Sequence, residues 1–195
     1  MAEERIPLIE TVDLKKYFKV GDKSYLHAVD GINMKVYPGE TIGVVGESGC
    51  GKSTLGRTIL RLIEPTSGQI LYNGEDITKL NARQMKRMRQ ELQIIFQDPY
   101  ASLDPRKSVI EIIAEYMIIN KTLPTKREIY NRAAHLMDVV GLARHYATAY
   151  PHELDGGRRQ RIGIARALSV NPKFIVCDEP VSALDVSIQA QILNL

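Results

Sequence analysis

The eight residues from Gly46 to Ser53, GESGCGKS, match the pattern GxxxxGK[ST] in full. Residues of these types at this spacing can hold a polyphosphate. The glycines let successive backbone N–H groups face one point, and a following helix adds the positive end of its dipole. Lys52 can reach the β- and γ-phosphates, and the Ser53 hydroxyl is the oxygen such a loop offers to Mg²⁺. Gly46, Ser48, Gly49, Cys50, Gly51, Lys52, Ser53 and Thr54 are therefore the candidate phosphate-binding residues, with ATP and Mg²⁺ as the expected ligands. A second group follows at FIVCDE, residues 174–179. Four apolar residues deliver two carboxylates to the C-terminal end of a strand, where open α/β sheets bind ligands. Asp178 is placed to hold the metal, and Glu179 to act as general base for water attacking the γ-phosphate.

The surrounding pattern supplies elements to position these groups. Residues 8–37 carry two strand-like stretches, LIETVDL and HAVDGINMKV, ending at the turn Pro38-Gly39. The apolar run TIGVVG predicts a buried strand into the loop, and a helix is predicted from Lys52 to Ile63, stopped by Pro65. Asn73-Gly74 marks a tight turn within GQILYNGEDI. ARQMKRMRQ reads as a basic, solvated helix before the buried strand LQIIF. Helices are predicted over Val109–Ile119 and Lys126–Val140, the second closed by Gly141. PKFIVCDEP then returns as a buried strand, giving a parallel α/β core with a mostly helical insertion.

Composition narrows the class. The chain has 195 residues, 44% hydrophobic and 25% charged, enough for one sizeable core. No apolar run approaches the length of a membrane span, and MAEERIPLIE lacks the basic start of a secretory signal. A net charge of +3 is too small to argue for nucleic acid, and none is expected as a partner. Cys50 and Cys177 form no CxxC pair and the four histidines no ligand-spaced cluster. Any metal must be held by oxygen.

The order of the phosphate loop, the strand LQIIFQ ending at Gln97, the paired glycines Gly156-Gly157 and the Asp178-Glu179 pair resembles the ATP-binding-cassette (ABC) ATPases. The resemblance covers residues 8–195. It implies an α/β fold: a RecA-like P-loop NTPase core, an N-terminal antiparallel β subdomain and an inserted α-helical signature subdomain. It divides one domain into 1–97, 98–165 and 166–195. It also implies that Gln97 is the Q-loop glutamine, acting in catalysis and at the metal. Ser182-Ala183-Leu184-Asp185 matches the D-loop, and Phe18, or less well Tyr17, the aromatic that stacks on adenine.

QDPYASLDPRKSV, YPHEL and DEPVSALDVSIQAQILNL are similar to the ATPase subunits of oligopeptide and dipeptide importers. That implies a second ATPase subunit, identical or different, with ATP between the two. It implies two membrane permease subunits meeting residues 97–106, an extracellular solute-binding protein acting indirectly, and a peripheral place on the cytoplasmic face of the membrane. Importers of nickel and other solutes share these motifs. A non-transport ABC ATPase acting on ribosomes or DNA is the alternative, and a P-loop kinase a more distant one.

Two departures stand out. The family signature usually reads Leu-Ser-Gly-Gly-Gln and binds the opposite subunit's γ-phosphate; here it is LDGGR, with Asp155 and Arg158 at the serine and glutamine positions. Asp155, Gly156 and Gly157 stay candidate nucleotide contacts, but an ionised Asp155 only accepts hydrogen bonds and repels phosphate. Arg158 can pair with it if a helix begins here. The expectation is a weaker, tunable half-site in a pair of unequal ATP sites. The second departure is the end of the sequence, sixteen residues after Glu179 and ahead of the family's switch histidine, so the chain is expected to be a truncated subunit.

Overall fold

The computed structural model describes residues 5–180, apart from the Pro99 side chain. The Ser182–Asp185 D-loop candidate lies outside the described residues. The chain forms two compact units, Met1–Arg89 and Gln90–Leu195.

In the first unit, β1 (Ile9–Lys19) and β2 (Tyr25–Val36) pair antiparallel, and β3 (Ser67–Tyr72) and β4 (Glu75–Asp76) extend the sheet in the order β2-β1-β3-β4. Burial along β1 begins with the two-residue period of a one-sided strand, at Ile9 and Thr11, then resumes at Leu14. The register slips between Thr11 and Leu14, and Asp13 takes φ 45°: a bulge resets which face is buried. Asn73 and Gly74, at φ 49° and 81°, close the β3–β4 hairpin where the sequence signalled it.

Helix α1 (Lys52–Ile59) starts as expected but ends four residues before Ile63. Arg61 accounts for the early stop. It sits at φ 50°, turning the chain out of the helix, and its buried guanidinium donates to the carbonyls of Ile77 (2.8 Å) and Leu80 (2.9 Å) while pairing with Glu64. Satisfying a buried guanidinium outweighs one more helical turn. Residues 41–46 differ more. TIGVVG forms no strand and is exposed, Val45 by 96%. A strand needs a hydrogen-bonding neighbour, and among the described residues no strand pairs with 41–46.

Helix α2 (Ala82–Glu91) leads into the second unit, where β5 (Leu92–Ile95) and β6 (Phe174–Cys177) pair in parallel with Ile95 opposite Cys177. β5 is buried as expected, whereas β6 is half-buried and Cys177 exposed. Between the strands lie α3 (Pro99–Ser102), α4 (Val109–Asn120), α5 (Lys126–Val139) and α6 (Gly156–Leu168). Capping boxes start α4 (Ser108 with Glu111) and α5 (Thr125 with Glu128), each satisfying two backbone donors. Gly141 follows α5 at φ 66°, the left-handed position that ends a helix. These helices enclose an apolar core of Val109, Ile112, Ile113, Met117, Ala133, Leu136, Met137 and Ile162, all at most 2% exposed. Among the described residues no helix is long and apolar enough to cross a membrane.

Candidate functional site

In the first unit, the phosphate-loop residues sit at the start of α1. Gly49 (φ 79°) and Gly51 (φ 100°) take left-handed backbone, and Gly51 is the residue at which the helix begins. Gly51 is forced twice over, because a Cβ there would lie 2.0 Å from the Ala28 carbonyl oxygen. No side chain caps α1, so no side-chain oxygen competes for its first amides. Lys52 Nζ donates to the carbonyls of Gly46 and Glu47, both at 2.8 Å, which holds the cation across the loop. Gly46, Ser48, Gly49 and Cys50 are exposed, while Lys52, Ser53 and Thr54 are half-buried. A turn of small residues, uncapped helix amides and an adjacent ammonium fit a polyphosphate.

Tyr17 and Phe18 occupy neighbouring positions on β1 and are in different circumstances. The Tyr17 ring stacks on His27 at 3.9 Å, and its hydroxyl donates to Asp30 at 2.5 Å. That bond holds the Asp30 carboxyl below its ordinary pKa and the Tyr17 phenol above its own. Phe18 has the Lys16 ammonium 4.9 Å from its ring centre.

In the second unit, parallel β5 and β6 bring together the ends of the two strands that carry Gln97 and Glu179. The Asp178 amide donates to the Ile95 carbonyl (2.9 Å), and Gln97 Nε2 donates to Glu179 Oε2 (2.9 Å) across 82 residues of sequence. Asp178 is buried and Glu179 exposed, the latter at φ 47°. The two acids thus have different settings: one carboxylate inside, one facing water beside an amide. Within this unit, the amide and carboxylate oxygens that Gln97 and Asp178 carry are of the kind that suits a hard ion such as Mg²⁺.

The paired glycines open α6. Gly157 is buried and Gly156 half-buried. Asp155 is the helix N-cap: its Oδ1 accepts from the Arg158 amide (2.8 Å) and its Oδ2 pairs with the Arg158 guanidinium. Arg158 also lies 4.9 Å over the Tyr146 ring. The pairing that the sequence made conditional on a helix start is present.

Sequence reasoning missed the work of the other basic residues here. Arg159 donates to the Pro151 carbonyl (2.7 Å) and covers the Tyr100 ring, Arg161 donates to the Val140 carbonyl, and Arg166 donates to the Ser102 carbonyl. Buried Gln160 reaches the Phe96 carbonyl at 3.4 Å, one residue before Gln97. Backbone carbonyls are invisible as partners in a sequence.

The ABC transporter family model matches residues 29–182, which include the phosphate loop, Gln97, the paired glycines and both acids. The chain belongs to the ABC transporter family. The oligopeptide transport ATP-binding protein OppF of Bacillus subtilis is 53% identical over 96% of this chain, and OppF of Salmonella typhimurium 47% identical over 99%. The chain spans 62% and 60% of the lengths of these two relatives. In three dimensions it resembles the ATP-binding cassette MJ0796, solved as a dimer in a post-hydrolysis state with ADP and phosphate. The TM-score is 0.87 at 28% identity, over 95% of this chain and 80% of that one. These likenesses establish the P-loop α/β cassette fold, with its antiparallel β and helical parts.

Proposed function

We propose that this ABC family chain binds MgATP and hydrolyses it as one of two ATPase subunits that energise an importer of oligopeptides or dipeptides. The observation that carries the reading is the uncapped start of α1, where Gly49, Gly51 and Lys52 form a phosphate cradle. In this reading the amides from Gly46 to Thr54 bind the phosphates, Lys52 neutralises their charge and Phe18 stacks on adenine. Ser53, Gln97 and Asp178 would hold Mg²⁺, which would offset the developing phosphoryl charge. Glu179 takes the proton of the attacking water, and its bond to Gln97 orients the carboxylate. Gly156 and Gly157 present α6 amides to nucleotide held by a partner chain. The reading keeps the division into 1–97, 98–165 and 166–195, with the start of α6 in the middle segment.

Two membrane permease subunits, contacted through residues 97–106, would place the chain on the cytoplasmic face of the membrane. Peptide is the favoured cargo because relatives about 50% identical are named oligopeptide transport proteins. The test is light scattering of Glu179→Gln with and without MgATP, the substitution blocking turnover. A doubling of mass with nucleotide is expected. A monomer at saturating nucleotide, both alone and mixed with a candidate partner ATPase, would contradict the paired site.

A further inference from the structure

Two helix N-termini in this chain are proposed above to meet phosphate, and they are built in opposite ways. At α1 the cap is Gly51, and no side chain takes an amide. At α6 the cap is Asp155, whose carboxylate occupies the Arg158 amide at 2.8 Å and whose second oxygen is paired with the Arg158 guanidinium. The first end is open to an external anion. The second already holds an internal one. A carboxylate at a helix N-terminus draws on the same dipole that a phosphate would use, and Asp155 sets its negative charge beside the Gly156 and Gly157 amides.

We propose that Asp155 is a resident competitor for phosphate at the start of α6, and that Arg158 sets how strongly it competes. Resting on the reading that α6 completes a partner's nucleotide site, the inference makes the site that this α6 completes the slower of the pair. Arg158 has the geometry for control. It is anchored between the Asp155 carboxylate and the face of the Tyr146 ring, both near the same helix end. While paired, it cancels most of the charge Asp155 would present to an incoming phosphate. Without it, the full negative charge faces the nucleotide.

The consequence is a pair of opposite signs. Serine caps a helix about as well as aspartate, so Asp155→Ser removes the charge and keeps the cap. Asp155→Ser is expected to raise kcat/KM for ATP roughly two- to fivefold, the scale of one partly exposed charge interaction. Arg158→Gln is expected to lower it, because it strips the compensation and leaves the carboxylate. Thermal melting, measured alongside, should be the same for Asp155→Ser as for the unaltered chain, which separates charge at the site from helix stability. Equal rates in all three proteins, a slower Asp155→Ser, or changes of the same sign in both variants would overturn the inference. So would nucleotide binding without turnover in every variant. Failure of the underlying reading shows separately, as light scattering that finds only monomer at saturating MgATP, alone and with a candidate partner ATPase, and it would take the inference with it.

Discussion

Glu179→Gln is expected to lower ATP turnover by about a hundredfold or more, the usual contribution of a positioned general base. The expectation follows from the end of β6. The strand places Asp178 inside, tied to Ile95 by its amide, and turns at Glu179 so that this carboxylate faces outward. Gln97 Nε2 donates to it at 2.9 Å, which orients the carboxylate to take a proton from water. The amide of glutamine has nearly the same size but cannot accept that proton. Nucleotide affinity should be retained, since no phosphate contact is removed. Phosphate release from MgATP, followed at saturating nucleotide, reads the effect. Turnover within a few-fold of the unaltered chain would move the base elsewhere.

Gly51→Ala is expected to abolish nucleotide binding and to destabilise the chain by about 2 kcal/mol or more. Backbone at φ 100° is strained for any residue with a Cβ, and here the added carbon would sit 2.0 Å from the Ala28 carbonyl oxygen. Ala28 belongs to β2, so the clash is with sheet backbone that has little room to yield. Either the loop shifts and its amides diverge, or the strand shifts and the first unit loosens. Titration with a fluorescent ATP analogue and a thermal melt read the two effects. Gly43→Ala is the control, because a Cβ there meets nothing within 4 Å. Equal binding by Gly51→Ala and the control would mean that the loop geometry is not what holds the phosphates.

What could be read from the sequence was local. The loop GESGCGKS, the helix stop at Gly141 and the turn at Asn73-Gly74 each encode their conformation within a few residues. What escaped depends on distant partners. Arg61 ends α1 because carbonyls at Ile77 and Leu80 lie within its reach, which no window around residue 61 contains. TIGVVG has the composition of a buried strand, yet pairing decides whether a run becomes one, and among the described residues no strand pairs with it. Asp155 was half legible. Its spacing to Arg158 suggested an ion pair, but its role as the cap of α6 needed the backbone. The other arginines of α6 act as ties to carbonyls of neighbouring segments, which no spacing in the sequence announces.

The account rests on the loop from Gly46 to Ser53 enclosing the phosphates of ATP, and Cys50 lies inside that loop and is exposed. The most direct measurement is the rate of Cys50 alkylation with and without MgATP, resolved by peptide mass so that Cys177, also exposed, serves as the comparison thiol. The account predicts that saturating MgATP slows modification of Cys50 well below its nucleotide-free rate. Equal Cys50 rates with and without MgATP would contradict the placement of the phosphates on which every other role here depends.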